Sequence, residues 1–288
     1  MQQLGVNQAT LKDKASNLPP AKYKAIHEAV LAACDAKDGV KDGVLENPMK
    51  CEFDPQVLAC KGADSDTCLT DAQVAAVRRI YSKVTNPRTG EYIFPGFERG
   101  SELCWSMVIG PKPFSYADDF WRYVVVKDAS WGFEALNYET DLARAVKEDH
   151  GVIDATDPNL RPFFSHGGKL LQYHGWNDPG IAPENSVNYY NKVGDTLGGV
   201  SKIENSYRLF MVPGMSHCRG GEGTDTFDML AALERWVEQG KAPDSIPASR
   251  VVDGKTVRTR PLCPYPQEAV YKGSGSTDDA ANFACRVR

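Results

Sequence analysis

Two short polar turns carry an aspartate and a histidine, and each turn follows an apolar run. Asp178 lies in His-Gly-Trp-Asn-Asp-Pro after the run 169–174, and His217 lies in Pro-Gly-Met-Ser-His-Cys after the run 207–212. A histidine that acts as a general base needs a carboxylate that fixes its tautomer and stabilises the imidazolium ion. The residue types and their placement therefore predict that Asp178 orients His217 for proton transfer.

The serine that such a pair would serve is absent from its expected place. In α/β-hydrolases the chain order is serine, acid, histidine, and the serine lies in a G-x-S-x-G turn. No such turn occurs in the 288 residues. Ser216 adjoins His217 but is too close along the chain to meet the imidazole as a nucleophile normally does. His166 and His174 compete with His217 as bases, and we interpret His174 as a strand-end histidine whose hydrogen bonds are satisfied locally.

An acidic loop forms a second cluster that could do chemistry. Asp35, Asp38 and Asp42 occur within eight residues, with glycines that bend the chain. Calcium binds six to eight oxygens from carboxylates and backbone carbonyls, so the three aspartates with the carbonyls of Val40 and Val44 are a candidate site. The loop is not an EF-hand, because the glycine required at the sixth position is Val40. The alternative is a solvated acidic turn whose charge the neighbouring lysines offset.

The cysteines indicate disulfide bonds rather than a zinc site. No C-x-x-C pair is present, which argues against structural zinc. Six cysteines form local pairs with short intervening loops, and such pairs imply an oxidising compartment. The alternative is that they are free thiols in a reducing compartment. The eight cysteines comprise the local pairs Cys34/Cys51, Cys60/Cys68 and Cys263/Cys285, with Cys104 and Cys218 left over.

The pattern of apolar residues changes along the chain. Helices are predicted over 20–34, 70–81 and 136–145, with an irregular stretch over 86–129 and a Pro- and Gly-rich tail from Ala242. From residue 152 onwards, strand 169–174, helix 184–193, strand 207–212 and helix 226–239 alternate, which predicts a parallel sheet of the α/β class. We therefore divide the chain into an irregular domain, 1–157, and an α/β part, 158–288. Two neighbouring strands are few for such a sheet, so the α/β part is expected to be incomplete.

Composition excludes several classes of protein. The net charge is −5 and the sequence pI about 5.6, which gives no reason to expect nucleic acid or an anionic membrane as a partner. No apolar run approaches the roughly 20 residues of a membrane span. The first residues lack the features of a signal peptide, although the cysteine pairs suggest export. We therefore expect that residues upstream of Met1 belong to the protein.

At the level of motifs, the chain resembles the tannase/feruloyl esterase family, which also includes the hydrolase of mono(2-hydroxyethyl) terephthalate. The resemblance covers nearly the whole chain. It is carried by the acidic loop with its flanks, by the two turns with Asp178 and His217, and by a helix that follows them. The matching segments are 33–48, 173–183, 212–218 and 231–243.

The resemblance implies an α/β-hydrolase core with a large, irregular, α-rich lid. Residues 1–157 would be the lid, with a structural Ca²⁺, and residues 158–288 would be the C-terminal half of the core. Asp178 would be the triad acid and His217 the general base. The nucleophile elbow, the oxyanion-hole donors and the first strands would precede Met1. The implied calcium ligands are Asp35, Asp38, Val40, Asp42 and Val44.

The resemblance also implies that Cys218 would bond to a cysteine just before the nucleophilic serine. No such cysteine is present, so Cys218 is expected to be unpaired or to bond to a separate N-terminal half. Pairing of Cys218 with Cys104 would depart from the family.

The resulting hypothesis is a secreted or periplasmic serine carboxylic-ester hydrolase that cleaves esters of ferulic, gallic or related aromatic acids. This chain alone is expected to be inactive. The alternative is a nucleophile-free relative that binds aromatic ligands or is inert. Candidate aromatic residues for stacking on the acyl group are Trp105, Phe114, Trp121 and Trp131.

Overall fold

The computed structural model describes residues 1–288 and contains nine α-helices and nine strands. The strands form four small sheets. The α-helices are α1 (Gln2–Leu11), α2 (Tyr23–Cys34), α3 (Asp71–Tyr81), α4 (Ser115–Asp119), α5 (Thr140–Asp149), α6 (Arg161–Ser165), α7 (Glu184–Leu197), α8 (Val200–Ile203) and α9 (Met229–Gln239). The strands are β1 (Val84–Thr85), β2 (Tyr92–Phe94), β3 (Leu170–Gly175), β4 (Tyr207–Val212), β5 (Thr226–Phe227), β6 (Ile246–Val252), β7 (Lys255–Leu262), β8 (Glu268–Tyr271) and β9 (Phe283–Arg286).

Helix α3 shows why the first helices form where the sequence predicts them. Thr70 accepts a hydrogen bond from the Gln73 N–H, and the Gln73 side chain accepts one from the Thr70 N–H. This capping box satisfies two N–H groups that a helix start leaves without partners. Val77 and Ile80 then bury one face of the helix. The prediction over 70–81 is confirmed to within one residue.

Helix α2 follows a 3₁₀ turn at Pro20–Lys22, so the prediction over 20–34 is also close. Ile26 and Val30 are fully buried, whereas Ala33 near the end of the helix is exposed. The largest apolar cluster of the N-terminal region contains residues from α1, α2 and α3 and is centred on Trp105. A second cluster gathers around Trp121, on a π-helix over Phe120–Val126 that continues α4.

Strands β3 and β4 are parallel, with Leu170 opposite Tyr207 and Gly175 opposite Val212. Helices α7 and α8 connect them, which confirms the predicted strand–helix–strand order. The rings of Tyr190 on α7 and Tyr207 on β4 meet edge to face at 4.9 Å between centroids. Such a pair contributes about 0.5–1.5 kcal/mol beyond the area it buries. Because the strands run in the same direction, the turns after Gly175 and Val212 lie side by side.

Three predicted boundaries are wrong for local reasons. Helix α5 begins at Thr140 rather than 136, because the Asn137 side chain accepts the N–H groups of Glu139 and Thr140 and so sets the start of the helix. Helix α9 begins at Met229 rather than 226, because residues 226–227 pair with β6 and Asp228 caps the helix. Helix α7 continues to Leu197, past the predicted end at 193.

Regions predicted as irregular also contain regular structure. The tail forms an antiparallel sheet in the order β5–β6–β7 and a hairpin-like pair, β8 and β9. Helix α1 and the helical stretch 115–126 are further elements that the sequence pattern did not predict. No helix is both long enough and apolar enough to cross a lipid bilayer.

The local cysteine pairs form disulfide bonds, as predicted. Cys104 and Cys218 remain free thiols, and the structure does not join them to each other. The Cα atoms of the bonded pairs lie 5.4 Å apart for Cys34–Cys51, 4.9 Å for Cys60–Cys68 and 5.4 Å for Cys263–Cys285.

Candidate active site

The two turns after β3 and β4 bring Asp178 and His217 together. His217 Nδ1 lies 2.8 Å from Asp178 Oδ2, and because a carboxylate only accepts, Nδ1 carries the proton. The Asp178 residue is 3% exposed, whereas the His217 side chain is 40% exposed. His217 Nε2 makes no hydrogen bond within the chain and faces outward. The geometry is that of a base oriented by a buried acid.

Glycine makes the close approach of the two turns possible. A Cβ on Gly175 would lie 2.3 Å from the Met215 carbonyl oxygen, closer than any side chain allows. The turns are joined by hydrogen bonds from Trp176 N–H to Val212 O and from Asn177 N–H to Met215 O, each 2.9 Å. These contacts fix the backbone of the acid against the backbone of the histidine turn.

Four donors surround the Asp178 carboxylate. Oδ1 accepts from the Gly180 and Ile181 N–H groups at 2.7 and 3.1 Å, and Oδ2 accepts from His217 and from His174 Nε2 at 3.1 Å. Burial alone would raise the pKa of Asp178, but hydrogen bonds from His174, His217 and Ile181 outweigh it and hold the pKa below its ordinary value. The acid is therefore ionised at neutral pH.

His174 is the residue whose role the sequence interpretation missed. Its hydrogen bonds are satisfied locally, as expected, but one of its partners is the acid itself. The i, i+4 spacing of His174 and Asp178 across the end of β3 is the sequence signal that could have indicated the contact. His166 lies elsewhere, with Nδ1 2.7 Å from the Pro162 carbonyl oxygen.

The N-terminal region touches the acid turn directly. Asn177 Nδ2 donates to the Gly100 carbonyl at 2.7 Å, and Gln3 Nε2 donates to the Gly180 carbonyl at 2.5 Å. The Gly100 N–H in turn donates to Glu102, a fully buried carboxylate that also binds His27. Residues 1–157 therefore help to hold the loop that carries Asp178.

Met107 and Cys104 bring further side chains to the site. A Cβ on Gly180 would lie 3.2 Å from Met107 Sδ and 3.5 Å from His217 Nδ1, so Met107 packs beside the acid–histidine pair. Burial raises the pKa of the Cys104 thiol, and Ser216 lies close to that thiol. Cys218 is exposed with φ of 67°. The Ser216 hydroxyl does not hydrogen bond with His217.

The aromatic residues considered for substrate stacking are mostly core residues. Trp105 is fully buried, its indole N–H bound to Ser101 Oγ at 2.9 Å, and Trp121 is 3% exposed. These two rings are core residues, the alternative role for such aromatics, and cannot stack on a ligand. Phe114 and Trp131 are partly buried against the two helical cores.

The acidic loop packs beneath the histidine turn. A Cβ on Gly214 would lie 3.1 Å from a methyl group of Val44, so the loop and the turn are in contact. Asp35 accepts the Gly43 N–H, Asp38 accepts the Val40 and Glu46 N–H groups, and Asp42 faces Arg258 and Arg260. The oxygens of Asp35, Asp38 and Asp42 do not all come within 4.8 Å of one another. The structure thus gathers the predicted ligands in one loop without a compact cluster.

The carboxylates of the acidic loop have raised pKa values at Asp38 and Asp42. Burial raises the pKa of Asp38 to about 6, and repulsion from Asp42 and Asp35 contributes. Burial also raises the pKa of Asp42 despite Arg258 and Arg260. Calcium is bound by oxygen ligands from carboxylates and backbone carbonyls, and a turn of the backbone brings such ligands together. The residue types and their charges fit such an ion.

Comparison with known proteins supplies the wider context. A family model described as tannase and feruloyl esterase matches residues 1–286. An uncharacterized esterase of Xanthomonas campestris is 39% identical over 319 residues, covering 94% of this chain and 55% of the relative. A probable feruloyl esterase B-2 of Aspergillus terreus is 35% identical over 290 residues, with coverages of 94% and 55%. The chain spans about half the length of the curated relatives it matches.

Solved structures agree with the sequence relatives. The crystal structure of feruloyl esterase B from Aspergillus oryzae superimposes with a TM-score of 0.90 at 32% identity, over 99% of this chain and 61% of that one. Tannin acyl hydrolase from Aspergillus niger gives a TM-score of 0.79 at 19% identity, over 100% and 57%, which shows a shared fold.

Proposed function

The chain belongs to the tannase and feruloyl esterase family, and on that premise we propose that it supplies the acid and the general base of a serine carboxylic-ester hydrolase. The observation that carries the proposal is the 2.8 Å contact between a buried, ionised Asp178 and an exposed His217 whose Nε2 is free. The names of the relatives support esters of hydroxycinnamic or gallic acids as substrates.

The proposed chemistry uses the two nitrogens of His217 differently. Nδ1–H donates to Asp178, which leaves Nε2 as the acceptor for the proton of a serine hydroxyl as that oxygen attacks the ester carbonyl. The imidazolium ion formed is stabilised by Asp178 and then gives the proton to the leaving alcohol. Water repeats the cycle on the acyl-enzyme and releases the aromatic acid. We place the serine and the oxyanion donors outside residues 1–288.

The same proposal assigns roles to the two parts of the chain. Residues 1–157 form the lid, and residues 158–288 form the C-terminal half of an α/β-hydrolase core built on β3 and β4. The contacts of Asn177 and Gln3 support a lid that closes directly on the acid turn. Met107, next to His217 and 41% exposed, is placed to contact the bound ester.

We also propose a structural Ca²⁺ in the acidic loop, held by Asp35, Asp38 and Asp42 with the Val40 and Val44 carbonyls. A cation there would relieve the repulsion among buried carboxylates and stiffen the loop on which the histidine turn rests. The Cys34–Cys51 disulfide closes the same loop. The bound Ca²⁺ would influence the position of His217 and would take no part in the chemical step.

The three disulfides support a secreted or periplasmic location. The exposed, unpaired Cys218 directly after the base is proposed to bond with a cysteine of the segment that carries the serine. Such a bond would hold histidine and nucleophile together.

The test of function is hydrolysis of methyl ferulate and methyl gallate. Residues 1–288 and their His217→Ala variant are assayed together, and circular dichroism establishes that both are folded. We expect no turnover by either. Turnover that His217→Ala abolishes would show that a nucleophile lies within residues 1–288 and would overturn its placement outside. Tight binding of ferulate without turnover, in a natural protein that carries no further segment, would favour a nucleophile-free ligand binder.

The calcium proposal has its own test. We expect added calcium to raise the thermal midpoint relative to EDTA. Calcium at 100 times its dissociation constant contributes about 2.7 kcal/mol. Asp38→Asn should abolish the response, whereas Asp244→Asn, at a side chain 95% exposed, should retain it. Equal midpoints in calcium and in EDTA would remove the ion from the proposal.

A further inference from the structure

A single chain of hydrogen bonds leads from the core to the acid of the site. The Tyr207 hydroxyl donates to Gln172 Oε1, and Gln172 Nε2 donates to Ser186 Oγ at 2.9 Å. Ser186 Oγ lies 2.8 Å from His174 Nδ1, and His174 Nε2 lies 3.1 Å from Asp178 Oδ2. These residues come from β4, β3 and α7, so the chain joins all three elements of the parallel unit to the acid.

The direction of each bond follows from the chemistry of its partners. Asp178 is ionised and can only accept, so His174 Nε2 must carry a proton. The Ser186 oxygen already accepts from Gln172, and its own hydrogen is free to point at His174 Nδ1. We assign the His174 proton to Nε2, with Nδ1 as the acceptor of the Ser186 hydroxyl. Every donor in the chain points towards Asp178, an arrangement in which each bond polarises the next.

Hydrogen-bond donors occupy all the acceptor sites of the Asp178 carboxylate. An ionised carboxylate has about four lone-pair sites, and Asp178 receives two backbone N–H groups on Oδ1 and two imidazole N–H groups on Oδ2. Its plane is thus fixed from both sides. Without His174, the oxygen that receives His217 would keep one open site, and the carboxylate could turn or admit water.

We propose that His174 is a positioning residue for the acid: held by Ser186 as the Nε2–H tautomer, it clamps Asp178 Oδ2 in the orientation that receives His217. The inference rests on the proposed roles of Asp178 and His217. His174 touches neither substrate nor nucleophile in this arrangement, and its effect passes through the carboxylate.

Other titratable groups near Asp178 are few. His174 reaches it from β3 and His217 from the turn after β4. The Cys104 thiol approaches from the lid beside Ser216. Glu222 lies 3.5 Å from the amide of Asn177, the residue before the acid. Neither Cys104 nor Glu222 hydrogen bonds with the carboxylate, so the two imidazoles dominate its titration.

The test compares a donor with a non-donor at position 174. Glutamine offers an N–H where the histidine has Nε2–H, and leucine offers none. We expect His174→Leu to raise the pKa of Asp178 by about one unit, because a hydrogen bond to its charged form is lost. His174→Gln should leave that pKa near the wild-type value. The measurement is a pH titration of the Asp178 carboxyl by ¹³C NMR on the whole chain.

Equal Asp178 pKa values in the Leu and Gln variants would overturn the proposal, since donor and non-donor would then be equivalent. His166→Leu, at an exposed histidine bound to a backbone carbonyl, is the control for loss of an imidazole elsewhere. Circular dichroism establishes that each variant is folded.

A second measurement keeps the proposal testable if the leucine variant fails to fold. ¹⁵N NMR of the wild type should show His174 protonated on Nε2 alone, and Asp178→Asn, whose amide can donate as well as accept, should yield a mixture of tautomers. A wild-type His174 protonated on Nδ1 would contradict the assignment. Neither measurement needs turnover, so absence of hydrolysis would count against the proposed esterase and not against this contact.

Discussion

The acid turn and the acidic loop both bury aspartates, yet their carboxylates are shifted in opposite directions. Asp178 receives four N–H donors, and its pKa lies below the ordinary value. Asp38 receives two backbone N–H groups but faces Asp42 and Asp35, and burial with that repulsion raises its pKa to about 6. The difference teaches that burial alone does not decide the state of a carboxylate. The balance between burial, hydrogen-bond donors and neighbouring charges does.

The two regions are also built differently. The acid turn is fixed by backbone contacts to the neighbouring strand end and by hydrogen bonds with residues 3 and 100, and four N–H donors stabilise its charge. The acidic loop is closed by a disulfide, and repulsion from Asp35 and Asp42 acts on Asp38. The charge of the acid turn is therefore stabilised within the chain, whereas that of Asp38 is stabilised less well.

The largest expected effect comes from Asp178→Asn, which replaces the carboxylate of the acid turn by an amide. An amide can donate to His217 Nδ1, so the imidazole would no longer be held as the Nδ1–H tautomer. In a triad this substitution lowers kcat about ten-thousandfold, and we expect a similar loss in the active enzyme. In the chain itself, ¹⁵N NMR should show His217 changing from one tautomer to a mixture.

The matched control for that substitution is Asp244→Asn, which removes the same charge at an exposed site. His217 should then keep the wild-type tautomer. An unchanged His217 tautomer in Asp178→Asn would mean that the 2.8 Å contact does not orient the base.

A smaller effect is expected from Cys34→Ser with Cys51→Ser, which tests the acidic loop. Opening a loop of this length, with a sequence separation of 17, removes about 3 kcal/mol of stability. That corresponds to a fall of roughly 6 to 12 °C in the thermal midpoint. The stabilisation by calcium should disappear as well, because the ligands are no longer held close together.

Removal of Cys60 and Cys68 provides the comparison, since their disulfide closes a different loop. That pair should lower stability while leaving the calcium response intact. A calcium response that survives loss of Cys34–Cys51 would show that the acidic loop is organised without its disulfide.

A further, pH-dependent effect concerns Glu98, a buried carboxylate outside both regions. Burial raises its pKa to about 8, with repulsion from Glu184 and only partial compensation by Arg99. The folded state then binds this proton more tightly than the unfolded state, where the pKa is near the ordinary 4.5. Stability should fall as pH rises from about 5 to 8 and level off above. Glu98→Gln should flatten that fall.

Thermal midpoints measured across this pH range would decide the matter, with the exposed Glu238→Gln as control. Parallel curves for Glu98→Gln and the wild type would show that burial does not raise the pKa of Glu98 in the folded protein.

The sequence predicted those parts of the fold whose causes are local. Apolar runs of strand length, a helix between them and polar turns after them were enough to place Asp178 and His217 side by side. The apolar pattern over 70–81 predicted α3 to within one residue, and short loops marked the disulfide pairs. In each case the determining interactions lie within a few residues of one another along the chain.

The parts that were missed depend on distant partners. Helix α1 buries the polar residues Asn7 and Thr10, so its apolar periodicity is weak. Asn7 is satisfied by Val108 and Phe114, about a hundred residues away. Strands β6 and β7 lack a regular alternation of buried and exposed residues along their whole length, and each finds its hydrogen-bonding partner in the other. The role of His174 depends on Ser186 and Tyr207, which no local pattern connects to it.

The hydrogen bonds of Asn177 and Gln3 have a consequence for redesign. Because they join residues 1–157 to the backbone around Asp178, exchange of residues 1–157 for those of a relative would also change the support of the acid turn. A chimera should therefore retain the Gly100 carbonyl and a donor at position 3. Substitutions confined to side chains that make neither contact leave this connection intact.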